Sequence, residues 1–335
     1  MSVIVLAFAL FRIGMETKDL SNRKESAEFY ENRYTHGYMG HWSGFEKERL
    51  LALIKELNLG QTGKALDFGC GRGIFTAVFQ EALPGWEIFG CDISPEAIAF
   101  AQKNNASIKF FVVGDQSYSA ERFDFIHSHH VLEHTFDEKV TAAEMCAFAA
   151  PKCTMLHSLP CNHEGSLEYK IASARKNGID PITGKFFFED TAHMRRLSAT
   201  QTIALFQNAG FKSRKEYYAN QYYGALKWIS ESDFKLVLRI ANPWRANNSS
   251  DFFFLFGLLG KLKIYWFSFF AASAFEPADR GRFYFLKKLL QSIAFLFFFW
   301  MAIPVRSWLL RKAKQEWDLH RTDKNGSDLF LCIER

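Results

Sequence analysis

The order in which short apolar runs and amphipathic stretches follow one another is the feature that most constrains this fold. Five β-like runs alternate with helical patterns between residues 65 and 159. The runs cover residues 65–68, 86–91, 108–113, 123–128 and 154–159, and the helical patterns cover 74–82, 95–104 and 137–149. Parallel strands need a crossover connection, which is usually a helix. The alternation therefore predicts an α/β fold, a Rossmann-like parallel sheet with helices on both faces.

The remaining chain adds elements at both ends of this alternation. Leucines at helical spacing before residue 57 predict N-terminal helices, and residues 199–208 predict a later helix that ends at Gly210. Residues 211–218 and 327–333 have the pattern of a sixth and a seventh strand. The predicted organisation is a helical cap region at 1–60, a core at 61–224, a hydrophobic helical insertion at 225–323 and the final strand at 324–335.

Charge, cysteine content and the N-terminus narrow the class of protein and its location. The net charge is only +5 and no block of five or more Lys or Arg residues occurs, so nucleic acid is not an expected partner. The six cysteines form no C-x-x-C pair, which predicts reduced thiols and a cytoplasmic location. The apolar run at 2–11 has no basic residues before it, so we expect no signal peptide, and Met15 is an alternative start.

A glycine-rich turn follows the first predicted strand. Residues 65–73 read ALDFGCGRG, which places Asp67, Gly69, Gly71 and Gly73 at alternate positions. The dinucleotide fingerprint G-x-G-x-x-G needs a glycine at position 74, where this chain has isoleucine, and this disfavours a dehydrogenase. Asp67 would also place negative charge beside a pyrophosphate. The turn therefore favours a ligand that carries positive charge.

These residues resemble the first motif of the class I S-adenosylmethionine-dependent methyltransferases. The resemblance implies a seven-stranded sheet whose last strand is antiparallel, with S-adenosylmethionine as cofactor. It implies that the glycine turn wraps the methionine half of the cofactor, above Asp67, and that Asp92 accepts both ribose hydroxyls. It further implies that Asp115 and Gln116 lie beside the adenine, and that the segment FDFIHSHHVLEH borders the transferred methyl group. Ile93 and His129 complete the predicted cofactor-binding set.

Histidines after the fourth and fifth strands are the candidates for a general base. They are His129, His130, His134, His157 and His163. A histidine titrates near neutral pH and can take a hydroxyl proton from the methyl acceptor. His130 is the preferred candidate because it begins the turn that, by the resemblance, faces the methyl group.

The predicted catalytic set is His130, Glu133 and His134, which would share one face of a helical turn. Their spacing resembles the E-x-x-E-H of ubiquinone-biosynthesis O-methyltransferases, in which the triplet is associated with a divalent metal. The first acid of that pattern is histidine here. Metal ligation and bracing of the loop are alternatives, and we favour bracing and predict no metal.

Two further segments have both a structural and a functional interpretation. His193 and Arg195 match the segment before the last core helix, where His193 either lines the acceptor pocket or ties down the loop, and Ser198 is expected to cap the helix. Near the N-terminus, Tyr30, Tyr34, Tyr38 and Trp42 recur at roughly helical spacing. They either close over the cofactor or form part of the core.

The insertion has two strongly apolar runs, at residues 252–275 and 289–305. A spanning helix needs about 20 apolar residues, and the first run has Lys261 and Lys263 near its centre. Since the last strand returns to the sheet, any crossings must be even in number, and we expect none. Basic residues flank the second run, so we expect a monotopic contact with the membrane through 252–310. A helical cap over the acceptor pocket and a dimer interface are the alternatives.

The predicted function is methylation of a lipophilic or lipid-linked small molecule, at oxygen, by a cytoplasmic protein held peripherally at the membrane. One alternative is a methyltransferase that acts on a sugar or polysaccharide precursor. A second alternative is a membrane-associated protein that binds S-adenosylmethionine without catalysis.

Overall fold

The computed structural model describes residues 23–35, 44–190, 192–276 and 284–335. Its strands are β1 (Lys64–Phe68), β2 (Glu87–Asp92), β3 (Lys109–Val112), β4 (Phe123–His129), β5 (Ala149–Pro160), β6 (Lys212–Ala219) and β7 (Asp328–Glu334). Its helices are α1 (Arg23–Thr35), α2 (Gly44–Glu56), α3 (Thr76–Ala82), α4 (Pro95–Asn104), α5 (Glu138–Phe148), α6 (Leu167–Ser173), α7 (Ala199–Phe206), α8 (Tyr223–Glu231), α9 (Phe234–Ile240), α10 (Ser249–Ala272) and α11 (Tyr284–His320).

The seven strands form one sheet in the order β3-β2-β1-β4-β5-β7-β6. Strands β1 to β5 pair in parallel, and β7 inserts antiparallel between β5 and β6. The chain direction of the crossovers reverses between β1 and β4, which is where ligands bind in open α/β sheets. The predicted fold class is confirmed, including the antiparallel last strand.

Helices cover both faces of the sheet. One apolar cluster joins α2, α3 and α4 to one face, through residues such as Leu53, Phe79 and Ile98. The other cluster joins α5 and α7 to the opposite face, through Met145 and Phe206. The predicted helix signals are also confirmed, because Ser198 forms a capping box with Gln201 at the start of α7 and Gly210 has φ 86°.

The C-terminal helices differ from the prediction in length and number. Helices α8 and α9 precede the first apolar run, and α11 extends for 37 residues through Pro304. A proline inside a helix removes a backbone hydrogen bond. The helix continues beyond it because Leu309, Ala313 and Trp317 are buried in the core.

Two described helices are long and apolar enough to cross a membrane by length and composition, and they cover Ser249–Phe275 and Tyr284–His320. Helices α10 and α11 pack against each other, with the ring pairs Tyr265–Trp308 and Phe267–Phe298 at their contact. The first half of α11 is largely exposed. Large apolar side chains exposed there are Phe285, Leu286, Leu289, Leu290, Ile293, Leu296, Phe297, Phe298, Phe299, Trp300 and Ile303.

Candidate active site

A cleft opens at the carboxyl ends of β1, β2 and β4, beside the reversal in strand order. Its volume is about 1140 Å³ out to its open mouth. The turns after these strands form its floor, and Tyr30 and Tyr34 of α1 form part of its upper wall. Tyr38 and Trp42, which were predicted to continue this aromatic series, lie outside the described residues.

The turn after β1 approaches neighbouring elements at distances that only glycine allows. Gly69 has φ +75°, and a Cβ there would lie 2.4 Å from Val131 Cγ2 in the turn after β4. Gly71 has φ +52°, and a Cβ there would lie 2.8 Å from the hydroxyl of Tyr34. Both glycines line the cleft. Gly73 lies outside the wall and packs against Phe110 and α4, so its conformation shapes the turn from behind.

Asp92 ends β2 and lines the same cleft. Its Oδ2 accepts the backbone N–H of Gly71 at 2.9 Å, and its Oδ1 accepts the N–H of Ser94 at 3.0 Å. Burial raises the pKa of the Asp92 carboxyl to about 6, although the backbone N–H groups oppose this shift. The carboxylate is therefore held in a fixed position and is available to groups that donate hydrogen bonds from the cleft.

Asp67 has contacts on the sheet side of the cleft floor. Its Oδ2 accepts the hydroxyl of Thr76 at 2.6 Å, and its Oδ1 lies 2.9 Å from Nδ1 of His127. All three side chains are buried. Asp67 therefore ties β1 to α3 and β4 while it also borders the cleft.

The other predicted cofactor residues divide into two groups. Ile93 and His129 line the cleft with Asp92. Asp115 and Gln116 are not part of its described wall. Asp115 accepts the backbone N–H of Ser117, and the side-chain amide of Gln116 donates to the carbonyl of Gly114. Their predicted place beside the adenine remains a prediction.

The turn after β4 holds His130 and Glu133 in contact. His130 has φ 53°, a conformation that is uncommon for residues other than glycine. Its Nδ1 lies 2.7 Å from Glu133 Oε1. Burial alone would lower the pKa of His130, but the Glu133 carboxylate raises it above its ordinary value. The pKa of Glu133 falls to about 2, because the attraction of His130 outweighs the cost of burial.

His134 and His193 meet on the other side of Glu133. Their ring centroids are 4.5 Å apart. His134 donates Nδ1–H to the carbonyl of Ala192 at 3.2 Å, and His193 Nδ1 lies 2.8 Å from Glu189 Oε2. Burial lowers the pKa of His134 to about 4, so its ring is neutral at neutral pH.

One ligand atom each of Glu133, His134 and His193 lie within 4.8 Å of one another, which is close enough to hold a metal ion. This set differs from the predicted trio, because His193 takes the place of His130. His130 instead directs Nδ1 to the glutamate. The bracing role predicted for Glu133 and His134 stays a prediction.

The other candidate histidines lie away from the cleft. His157 is buried in β5, where its Nδ1 lies 2.8 Å from the Ser128 hydroxyl, and burial lowers its pKa to about 3. The ring of His163 contacts Tyr218, and its Nδ1 accepts the N–H of Gly165. Neither residue lines the cleft, so His129, His130 and His134 are the predicted histidines that do.

A second cavity, here called the inner chamber, shares His129 and His130 with the cleft. Its volume is about 1040 Å³ out to its mouth. Residues of α2, α6, α8, α9 and the start of β7 surround it, together with the loop at 188–196. Phe45, Phe188 and Trp228 supply aromatic surface to its wall.

Charged side chains also line the inner chamber, and several of their polar atoms have no hydrogen-bond partner among the described residues. Arg49 Nη2 lies 3.5 Å from Asp328 Oδ2, and both side chains are at least nine-tenths buried. Lys227 pairs with Glu46 at 3.2 Å and with Glu231 at 3.0 Å. Arg49 Nε, Asp328 Oδ1 and Glu46 Oε2 are buried without a hydrogen bond within the described structure. Buried polar atoms are nearly always paired, so these atoms indicate a polar ligand or bound water.

The sequence did not predict these charged residues. Arg49 ends a charged run at residues 46–49, and Asp328 is the first residue of the last strand. One signal was present, since Arg49 lies at i−4 from the apolar Leu53 and so shares its helical face. The pairing of α2 with β7 was not visible without the fold.

Comparison with known proteins identifies the core. A family model described as a methyltransferase domain matches residues 42–216, more than half of the 335 residues. The trans-aconitate 2-methyltransferase of Deinococcus radiodurans is 27% identical over 144 residues, which cover 43% of this chain and 54% of that protein. The ribosomal RNA small subunit methyltransferase C of Vibrio parahaemolyticus is 35% identical over 104 residues, 30% of each chain.

Among solved structures, a putative sarcosine dimethylglycine methyltransferase from Galdieria sulphuraria has a TM-score of 0.45 and 12% identity, with 92% of this chain and 98% of that chain covered. The chain spans about half the length of the trans-aconitate 2-methyltransferase and about a third of the ribosomal RNA methyltransferase. The family match includes the glycine turn, Asp92 and the turn after β4. The chain therefore belongs to the methyltransferase-domain family, and its fold and cofactor class are those of the class I S-adenosylmethionine-dependent methyltransferases.

Proposed function

We propose that the protein transfers the methyl group of S-adenosylmethionine to an oxygen atom of a lipophilic or lipid-linked small molecule at a membrane surface. The observation that carries the proposal is the position of His130, which borders both the cleft and the inner chamber. A base at that boundary would contact an acceptor hydroxyl in the chamber while the methyl donor occupies the cleft.

The chemistry of the cleft supports the cofactor assignment. Gly69 and Gly71 leave space where a side chain would otherwise project, and Asp92 offers a fixed carboxylate to two ribose hydroxyls. When bound, the cofactor supplies an electrophilic methyl group on a positively charged sulfur. The acidic groups Asp67 and Asp92 suit a ligand with that charge.

His130 is proposed as the general base and Glu133 as the residue that positions it. With Nδ1–H directed to Glu133, the other ring nitrogen can accept a proton. The hydroxyl proton of the acceptor passes to His130 as the oxygen forms its bond to the methyl carbon and the carbon–sulfur bond breaks. Alignment of the two reactants supplies much of the rate in such a displacement.

The inner chamber indicates the kind of acceptor. Asp328 Oδ1 and Glu46 Oε2 have no partner within the described residues and could accept hydrogen bonds from hydroxyl or ammonium groups of a ligand. Arg49 Nε could donate a hydrogen bond to a ligand oxygen. Aromatic side chains suit a ring or a chain beside these groups. The acceptor is thus proposed to have a polar head within the chamber and an apolar part beyond it. A lipid-linked acceptor, as the sequence predicts, would have both parts.

The membrane location is proposed from the exposed first half of α11 and the basic residues around it. Phe285, Phe297 and Trp300 are each more than half exposed. Exposed apolar patches of this kind mark contact sites, and the nearby Lys287, Arg311 and Lys312 complement anionic lipids. Helix α8 contacts both α10 and α11 and also lines the chamber, so a membrane-held acceptor would have a short path inward.

A transfer assay tests this function. The purified protein is incubated with radiolabelled S-adenosylmethionine and a total membrane-lipid extract, and label is measured in the organic phase. We expect labelled lipid with the wild type and a loss of at least about a hundredfold for His130→Ala, the low end for a general base. S-adenosylhomocysteine binding should be retained in that variant. Cofactor binding with no labelled product from any extract would favour the non-catalytic alternative.

A methyltransferase acting on a sugar or polysaccharide precursor is the second candidate. The combination of Trp228 and Phe45 with the carboxylates Asp328 and Glu46 supports it, because sugars present apolar faces and many hydroxyl donors. The same assay separates the two candidates when water-soluble extract replaces lipid. Label confined to the aqueous phase would favour the sugar acceptor.

A further inference from the structure

Three arginines come together where the chain enters α10. Arg175 follows α6, and its backbone pairs with Ala246, the residue after Arg245. The Arg175 guanidinium lies 3.7 Å from the ring centroid of Phe187. Arg239 of α9 donates to the carbonyl of Phe188 at 2.6 Å. We call Arg175, Arg239 and Arg245 the arginine cluster.

Among the described residues, no carboxylate forms an ion pair with the cluster, whereas Arg33, Arg195 and Arg196 each pair with an acid. Burial and then the charges of Arg245 and Arg239 lower the pKa of Arg175. The Nε of Arg175 is also buried with no hydrogen-bond partner among the residues that the structure describes. Three like charges held together in this way favour an anionic ligand.

Exposed aromatic side chains lie directly beside the cluster. Trp244, which precedes Arg245, is 83% exposed, and Phe253 and Phe256 are 70% and 61% exposed. The ring of Trp244 contacts Phe252, whose ring stacks on Phe256. The result is one surface on which aromatic rings lie next to guanidinium groups that form no ion pair with a described acid. Aromatic and basic residues in this combination are typical of the lipid–water interface.

We propose that the arginine cluster binds the phosphates of anionic phospholipids, while Trp244 and the adjacent phenylalanines enter the interfacial layer. The inference rests on the membrane part of the proposed function. Free phosphate shares the chemistry of the head group. The lipid is the occupant that matches both halves of the surface, since a soluble phosphate would leave the exposed rings without a role.

This site extends the membrane contact beyond α11. It lies at the start of α10, whereas the exposed segment of α11 contacts the last turns of α10 through the ring pair Phe267–Phe298. If both ends of α10 contact the membrane, the helix axis lies along the membrane surface. The 24 residues of α10 would then span about 36 Å of that surface, at 1.5 Å per residue. Phe188, whose carbonyl accepts from Arg239, also lines the inner chamber. A phospholipid bound at the cluster would therefore have its head group close to the inner chamber.

Vesicle binding by the full chain tests the site. Vesicles of phosphatidylcholine, with or without phosphatidylglycerol, are floated with the wild type and with Arg239→Gln/Arg245→Gln. Each arginine near an anionic surface contributes roughly 1 kcal/mol, so we expect the double variant to bind the anionic vesicles about thirty-fold more weakly. Binding to pure phosphatidylcholine should change little. The single variant Arg245→Gln should bind the anionic vesicles about fivefold more weakly. It leaves the hydrogen bond from Arg239 to Phe188 intact.

Lys152→Gln/Lys212→Gln is the matched control, because it removes two exposed charges at the opposite end of the sheet. An equal loss in this control, or unchanged anionic binding in the cluster variants, overturns the inference while the membrane contact of α11 stands. Calorimetry with inorganic phosphate is the second arm. Phosphate binding that is lost in the variants, with vesicle binding unchanged, assigns the site to soluble phosphate and overturns the inference. If the wild type binds neither kind of vesicle, the membrane part of the proposed function falls with it.

Discussion

Gly71 donates its backbone N–H to Oδ2 of Asp92 at 2.9 Å, so the turn after β1 and the acid at the end of β2 form one unit. The N–H of Ser94 fixes the second oxygen of the same carboxylate. Only a residue that tolerates φ +52° can present its N–H in this way without strain. The conformation of the turn and the charge of the acid are therefore linked in any ligand that occupies the cleft.

This unit predicts a pH dependence for cofactor binding. The pKa of Asp92 is about 6, above the ordinary value of 3.8. Asp92 is therefore ionised above about pH 6 and protonated below it. If the ionised form accepts the ribose hydroxyls, affinity for S-adenosylhomocysteine should be constant above about pH 7 and fall by up to about tenfold per pH unit below 6. Isothermal titration calorimetry with S-adenosylhomocysteine, repeated at pH values below 6 and above 7, measures this affinity.

The Asp92→Asn variant should bind S-adenosylhomocysteine weakly at every pH. Its affinity should not change with pH between about 5 and 7, since asparagine cannot ionise. Asp318→Asn, an exposed acid on α11, should behave as the wild type. Wild-type affinity that does not change with pH, or tight binding by Asp92→Asn, would contradict the assigned role.

Gly71→Ala should weaken cofactor binding without unfolding the protein. A Cβ at this position would meet the Tyr34 hydroxyl at 2.8 Å and would hold alanine at a positive φ, which costs roughly 1–2 kcal/mol. We expect affinity for S-adenosylhomocysteine to fall at least about tenfold. Gly257→Ala is the control, because a Cβ in that part of α10 has open space and a helix-favouring residue replaces glycine. Equal affinities in the two variants would show that the turn does not shape the site.

The His130–Glu133 pair should titrate as a unit. Glu133 raises the pKa of His130 above its ordinary value, so His130 is protonated at low pH and becomes a competent base only as the pH rises through that raised pKa. NMR titration of the labelled histidine side chains measures the pKa of His130, and it does not require the methyl acceptor. Glu133→Gln should lower the pKa of His130, because it removes the carboxylate charge. His163, whose pKa burial lowers, provides an internal reference that should not move.

Chelation distinguishes bracing from metal ligation by Glu133, His134 and His193. If the three residues brace the turn, treatment with EDTA should leave S-adenosylhomocysteine affinity and the unfolding temperature unchanged. Titration with Zn²⁺ or Mg²⁺ should give no stoichiometric binding. Stoichiometric binding that His193→Ala abolishes would replace bracing with a metal site.

The sheet could be predicted from the sequence because its signals are local. Six of the seven strands were expected to within one residue at each end, since a buried strand is a short apolar run between turn residues. Strand β5 begins at Ala149, five residues before its predicted start. The glycine turn could be predicted for a similar reason, because the positive φ of Gly69, Gly71 and Gly73 favours glycine at these alternate positions. Short helices such as α6 and α9 were missed, as their burial depends on partners far along the chain.

The inner chamber could not be predicted for the same reason. Arg49 and Asp328 are 279 positions apart by their numbers and meet only because α2 packs beside the start of β7. Neither residue belongs to a motif with fixed spacing. The continuation of α11 past Pro304 is a similar case, in which packing of Leu309 and Trp317 overrides a local helix breaker.

Helix α8 forms part of the wall of the inner chamber, and Glu316 of α11 holds the start of α8 in place. Its carboxylate accepts the backbone N–H groups of Tyr222, Tyr223 and Gly224 at 2.7–2.9 Å. These groups begin α8, where an unpaired donor is costly and a negative charge favours the helix.

Glu316→Ala should therefore lower the free energy of unfolding by about 3 kcal/mol, measured by urea denaturation, since bonds to a charged group are worth about 1.5–3 kcal/mol each and are not additive. Asp318→Ala, exposed on the same helix, should change it by less than about 0.5 kcal/mol. Because Lys227 and Trp228 of α8 line the chamber, amide exchange should accelerate along α8 in Glu316→Ala and stay unchanged in the control. Equal stability of the two variants would show that α8 holds its place without α11.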